Sequence, residues 1–183
     1  MKKTVLTFGI IAGVIMSVLM DGTVLFAGKI GASHSLLLGY ANLVASFLLI
    51  YFGIRNYRDN TLAGQISFGR AFACGILITL ITTLCYVATW EIVYFNFIPH
   101  FMDSYWAAQI HKVQSAGLDP AATATQVAAI QHSQQLYQNP FVNMAYTFIE
   151  PFPVGLIITL ISAALLRRKT AAEPAGAPSA MHT

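Results

Sequence analysis

An all-α, polytopic membrane protein with four transmembrane helices is the fold class the sequence predicts, and three observations predict it. Of 183 residues, 56% are hydrophobic and 9% charged, where a soluble domain carries roughly 25% charged residues. A chain of this length cannot hide so much apolar surface in one core, so lipid is the expected solvent for part of it. Four hydrophobic stretches run at 5–27, 36–54, 71–98 and 141–166, each near the ~20 residues that cross a ~30 Å hydrocarbon layer. Lys2, Lys3, Arg55, Arg58, Arg70, Arg167, Arg168 and Lys169 fall on one side of a four-span thread, with only Lys29 and Lys112 on the other. By the positive-inside bias, both termini are expected in the cytoplasm.

Each element has its own signal. The opening "MKKTVLTFGIIAGVIMSVLM" has the charged start and apolar middle of a signal peptide. Its apolar run continues past Asp21 to Ala27, and no convincing A-x-A site follows, so a retained first span is expected. Within it Gly9 and Gly13 form a GxxxG pattern, with Ser17 one turn on, which favours close helix packing. The connection "RNYRDNTLAGQISFGR" reads as a cytoplasmic loop, and Ser67 as the cap of the third span. Residues 99–140 read as an extracytoplasmic helical hairpin between spans three and four. Its first helix carries Met102, Trp106, Ile110 and Val113 at helical spacing, with Gly117 as the stop. Asp119 as N-cap and Pro120 at the first helical position open its second. Residues 170–183 are small and Ala/Pro-rich, and a disordered cytoplasmic tail is expected there.

Three carboxylates, Asp21, Glu91 and Glu150, lie inside these spans with no lysine or arginine beside them. At 1.5 Å rise per residue they fall ~7, ~9 and ~5 Å outward of their span centres, and Asn42 of span two ~4 Å outward with Ser46 close by. Asp21, Asn42, Glu91 and Glu150 are therefore a candidate intramembrane polar cluster, one group per span. A charge at mid-span costs at least ~2.5 kcal/mol, so such groups are expected to face the bundle interior or water. Three ionised acids without a cation would repel one another, and at least one is expected to stay protonated. Pro151 and Pro153 supply no N–H to the carbonyls of Thr147 and Ile149, which marks a helix break. Protonated Glu150, or Asn42, Tyr146, Tyr86 or Trp90, would be the donors that answer those carbonyls. Two readings compete: packing glue between spans, worth ~0.6 kcal/mol per group, and a proton- or solute-handling site at a discontinuous helix.

Other chemistry finds less support. A pI near 9.0 comes from basic residues beside hydrophobic runs, which suits anionic lipid headgroups, and no basic face or motif points to nucleic acid. Cys74 and Cys85 lie ~16 Å apart on one helix, too far for a disulfide. His100 and Asp103 have an i,i+3 spacing that suits a metal, but in a hairpin turning near residue 118 His111 does not face His132, and no metal or cofactor is expected. Trp90, Tyr94, Tyr105 and Trp106 read as an interfacial aromatic belt. Lacking a Ser/His/Asp pattern, a Walker loop or an H-E-x-x-H motif, the chain is not expected to be an enzyme. "GILITLITT" at 75–83 echoes "GLIITLISA" at 155–163, an echo expected by chance in so apolar an alphabet.

The strings "FGIRNYRDN", "ISFGRAF", "CYVATWEIVY", "YQNPFVN" and "EPFPVGLIITLISAALLRRK" together resemble the bacterial membrane family catalogued as domain of unknown function 4199. The resemblance covers about residues 2–169 and implies a four-span protein of the bacterial inner membrane. It implies no activity, ligand or catalytic residue. The expected role is a structural or accessory membrane subunit, in contact with lipid and with itself or other membrane subunits. The alternative is a small proton-linked carrier in which Glu150 exchanges protons, Glu91 and Asp21 tune it, and the Pro151/Pro153 break opens the helix.

Overall fold

The structure, a computed structural model, describes the backbone of residues 1–30 and 32–168 and the side chains of 1–24 and 37–168. The expected tail at 170–183, Lys169 and the Lys29 side chain lie outside the described residues. Seven helices follow one another: α1 (Lys2–Ile30), α2 (Ala32–Thr61), α3 (Phe68–Asn96), α4 (Asp103–Gln114), α5 (Pro120–Tyr137), α6 (Pro140–Ile149) and α7 (Pro151–Leu166). Four stretches are long and apolar enough to cross a membrane: Lys2–Val24, Leu37–Thr61, Phe68–Asn96 and Pro140–Leu166, the last made of α6 and α7 together. The chain is a multi-pass membrane protein with the short pair α4 and α5 between spans three and four. Leu6, Val14, Val18, Leu37, Leu84, Ile92, Ile157 and Leu165 are exposed on the outside of the bundle, which is favourable only where lipid replaces water.

Pairs across the helices set their directions. Gly9 meets Ile81 and Gly13 meets Cys85, so α1 and α3 run parallel. Gly53 meets both Phe8 and Ile78, and α2 runs against them. Gly155 meets Thr79 and Phe47, so α7 opposes α3 and follows α2. The bundle is therefore up-down-up-down. In cross-section α2 and α3 touch along the short diagonal, α1 packs on one side of that pair and α7 on the other, and α1 and α7 do not meet among the described residues.

Close approach is bought by missing side chains. A Cβ on Gly13 would stand 2.6 Å from Cys85 Cβ, and one on Gly9 would stand 2.8 Å from Ile81 Cβ. The GxxxG pattern is thus spent inside the protein, against α3, where small residues let backbones approach. Around these seats pack Met16, Phe47, Ile50, Ile54, Cys74 and Ile78, all with at most 1% exposure.

Caps agree with the sequence signals. Ser67 Oγ accepts from Arg70 N at 3.4 Å, and Asp119 Oδ1 accepts from Ala121 N and Ala122 N at 3.0 and 2.9 Å. Gly117, at φ +69°, makes the left-handed turn that separates α4 from α5. One expectation is corrected. Residues 55–61 are the last two turns of α2 and not loop. Tyr57 and Arg58 are buried there, and Arg58 Nη1 donates to the Leu166 carbonyl at 3.5 Å, which draws the α2 end onto the α7 end. The chain then turns through Ala63 and Gly64, both at positive φ, and Arg168 N closes onto Ile66 O at 2.9 Å.

Candidate functional site

Polar side chains inside the spans are distributed over separate seams. Between α1 and α3, Ser17 Oγ lies 2.9 Å from Thr89 Oγ1, and Thr82 Oγ1 donates to Gly9 O at 3.2 Å. The α1–α2 seam holds Asn42, whose Nδ2 donates to Thr23 Oγ1 at 3.0 Å and to Leu19 O at 3.3 Å. Facing each other across α3 and α7 are Thr79 and Thr159, 2.9 Å apart at their hydroxyls and fully buried. Thr79 also reaches Gly75 O and Gly155 O.

That last seam gives the echoed strings a packing reason. A Cβ on Gly75 would meet Thr159 Cγ2 at 2.8 Å, and a Cβ on Gly155 would meet Thr79 Cγ2 at 2.5 Å. Each G-x-x-x-T strip seats the threonine of the other, antiparallel to it. Sequence reading took the echo for chance because no pattern in one strand of text says that two segments are neighbours.

Nearer the hairpin the polar groups change character. Glu150 is the single residue between α6 and α7, and its φ −66° and ψ −60° stay in the helical region, so the prolines interrupt the hydrogen-bond ladder there and not the backbone path. Pro151 is buried against the bundle, and Pro153 lies in the first turn of α7 on the exposed side. The Tyr86 hydroxyl donates to Glu150 Oε2 at 3.4 Å, long against the ~2.7 Å usual for such a bond. None of Tyr86, Asn42, Tyr146 and Trp90 bonds the Thr147 or Ile149 carbonyl: Tyr86 takes the Glu150 carboxylate, Asn42 sits on another seam, and Trp90 Nε1 is buried without a partner.

Two residues of the expected cluster, Asp21 and Glu150, sit on elements that do not meet among the described residues. No hydrogen bond joins any two of Asp21, Asn42, Glu91 and Glu150 among the described residues. Asp21 belongs to α1 and Glu150 to the α6–α7 junction, which lie on opposite sides of the α2–α3 pair. Asp21 Oδ1 and Glu91 Oε1 are each buried with no partner among the described residues. Equal depth, computed from rise per residue, could not reveal this, because azimuth around the bundle is a separate coordinate.

A group that the sequence reading scattered is brought together instead. Trp90 stacks on Tyr94 at 5.5 Å, Tyr94 meets Tyr137 at 5.6 Å, and Tyr137 meets Trp106 at 6.0 Å and Tyr146 at 6.2 Å. Its scaffold is α6: Asn139 caps that helix, and Asn143, fully buried, donates from Nδ2 to Tyr137 O at 3.2 Å while accepting from Thr147 Oγ1 at 3.1 Å. Gln138 Nε2 donates to the Tyr94 hydroxyl at 3.2 Å. Burial pushes the Tyr137 phenol above its ordinary value, and the Glu150 carboxylate adds in the same direction. Between α4, α5 and α6 these rings leave a cleft of about 310 Å³ lined by Met102, Tyr105, Trp106, Ser133, Tyr137 and Tyr146. The tryptophans and tyrosines expected as a belt thus meet residues of α5 and α6, a long-range contact that spacing within α3 or α4 cannot signal.

Among the titratable residues of the hairpin, His100 Nδ1 lies 2.9 Å from Asp103 Oδ2. No group of three His, Cys, Asp or Glu side chains is placed to share a metal among the described residues. Cys74 and Cys85 are both free thiols.

With this geometry in hand, the family model described as protein of unknown function DUF4199 matches residues 7–168. The chain belongs to that family. No curated protein and no solved structure matches it. For this DUF4199 protein, fold and seams come from its own residues, and the family assigns no chemistry to them.

Proposed function

We propose that this DUF4199 protein is a structural or accessory subunit of a bacterial inner membrane, with both termini cytoplasmic and α4–α5 on the outer side. The observation that carries the reading is how the span polar groups are used. Ser17, Asn42, Thr79, Thr82 and Thr159 are each directed at a neighbouring helix of the same chain, and Thr79, Thr82 and Thr159 are fully buried. Hydroxyls and amides placed so are packing glue, which fixes helix register at ~0.6 kcal/mol each. The orientation rests on Lys2, Lys3, Arg55, Arg70, Arg167 and Arg168, which gather at the end of the bundle where α2 meets α7.

A second reading, a small proton-linked carrier, is favoured by one observation. Glu150 is an exposed carboxylate at a gap in the hydrogen-bond ladder of the fourth span, with only the long Tyr86 contact, and breaks in spans are where carriers place exchanging groups. Reconstitution in liposomes separates the two. Under an imposed pH gradient, the structural reading expects no proton-driven flux from wild type or Glu150→Gln. Flux in wild type that disappears in a folded Glu150→Gln protein would replace it with the carrier. Reporter fusions at residues 60, 120 and 175 are expected inside, outside and inside, and an inside signal at 120 would invert the orientation.

A further inference from the structure

The cleft between α4, α5 and α6 belongs to neither reading. Its walls are Tyr105, Trp106, Tyr137 and Tyr146, with Met102 and the Ser133 hydroxyl completing the lining. The rings are not a stacked slab. Tyr105 and Trp106 are inclined at 74°, Trp106 and Tyr137 at 67°, and Tyr137 and Tyr146 at 48°, so the four rings line a half-open cleft in several orientations. At about 310 Å³ the cleft is at the lower end of the roughly 300–1,000 Å³ of small-ligand sites.

Its chemistry selects a class of occupant. The lining contains no lysine, arginine or histidine to hold an anion, and its polar atoms are the Ser133 hydroxyl, three tyrosine hydroxyls and the Trp106 indole N–H. Aromatic faces carry the negative part of the ring quadrupole and attract a cation whose charge is spread over alkyl groups. The nearby formal charge on α4 has the complementary sign: Asp103 is in the first turn of that helix, between the lining residues Met102 and Tyr105. His100, paired with Asp103, is exposed. The cleft also straddles the edge of the fourth span, since Tyr137 precedes Pro140 and Tyr146 follows it.

We propose that the α4–α5–α6 cleft binds a substituted ammonium group within the ring walls of Tyr105, Trp106, Tyr137 and Tyr146. The group can arrive on a free solute such as choline or on the headgroup of a zwitterionic phospholipid, and the recognition chemistry is the same. An aromatic belt without such a site would accept a neutral isostere equally well, because its attraction is partitioning alone.

The chain has two tryptophans; Trp106 lines the cleft and Trp90 connects to it through Tyr94 and Tyr137, so intrinsic fluorescence reads this region. The full chain is placed in nanodiscs of phosphatidylglycerol and titrated with choline, then with its neutral carbon isostere dimethylbutanol. A saturable change with choline, and one at least about tenfold weaker with the isostere, is expected. Tyr105 is 48% exposed, so Tyr105→Leu leaves the fold intact and is expected to weaken choline about fivefold. Tyr137→Phe keeps the ring and is expected to stay within about twofold of wild type. Repeating the titration in discs doped with phosphatidylcholine identifies the source: a headgroup occupant weakens added choline, and a free solute leaves its isotherm unchanged. No saturable response to choline, equal responses to choline and dimethylbutanol, or an unaltered Tyr105→Leu isotherm overturns the proposal.

Discussion

The two ends of the bundle solve the same problem in opposite ways. At the basic end and through the middle, helices are drawn together by absent side chains and short bonds. Gly75 and Gly155 seat the opposing threonines, and the Thr79 and Thr159 hydroxyls stand 2.9 Å apart. At the hairpin end the hydrogen-bond ladder of the fourth span is interrupted at Glu150, the Tyr86 bond to Glu150 stretches to 3.4 Å, and the space is filled by aromatic rings that leave a cleft. Trp90 Nε1, Trp106 Nε1, Asp21 Oδ1 and Glu91 Oε1 are buried there without partners among the described residues. Unmet polar atoms and cavities are what a scaffold avoids, since each costs free energy. Ser46 Oγ and Thr83 Oγ1, in the middle of the bundle, are unpartnered among the described residues as well, so what sets the hairpin end apart is the cleft between its rings.

That contrast predicts a gradient of mutational effects. The largest belongs to Gly155→Ala, whose methyl would fall 2.5 Å from Thr79 and 2.9 Å from Phe47. Overpacking of that kind costs ~3 kcal/mol, and a thermal melt in detergent is expected to drop by several degrees. Arg58→Met comes next, at ~1 kcal/mol, because Arg58 is buried where α2 meets α7 and the change removes its packing along with its 3.5 Å contact to the Leu166 carbonyl. Asp59 is 40% exposed, and its ion pair adds little to that figure. Thr159→Val should follow at ~0.6 kcal/mol, since Thr79 keeps its bond to Gly75 O. Tyr86→Phe is placed last, below ~0.5 kcal/mol, as it removes only the long contact to Glu150. Melting curves for the four variants under one condition check the order. If Tyr86→Phe proved as damaging as Gly155→Ala, the hairpin end would be as tightly built as the rest, and the comparison would fail.

Particular residues show how much of this was legible beforehand. Asp119 and Pro120 start α5 where the text places them, and Ser67 caps α3, because a cap is decided by chemistry within three residues. Arg58 misled: in an "RNYRDN" context it reads as loop, yet it is 8% exposed and helical because α7 offers a carbonyl to receive it. Asn42 is a polar group inside a span whose bonding company spacing cannot show. Its partners are Thr23 and Leu19, reached through the α1–α2 packing, and not the three acids. Position along a span is linear in residue number, and direction around the bundle axis is not.

By itself the sequence determined that this is a four-span helical membrane protein with a short helix pair before the last span, since span length, apolar composition and capping are local properties of a chain in lipid. Only the tertiary structure decided which helices are neighbours. That choice separates Asp21 from Glu150 across the α2–α3 pair, and makes two similar strips, at 75–83 and 155–163, a mutual seat. It also gathers aromatic residues from α3, α4, α5 and α6 around one cleft. The physical reason is that packing depends on which faces meet, and a face acquires a partner only when the whole bundle closes.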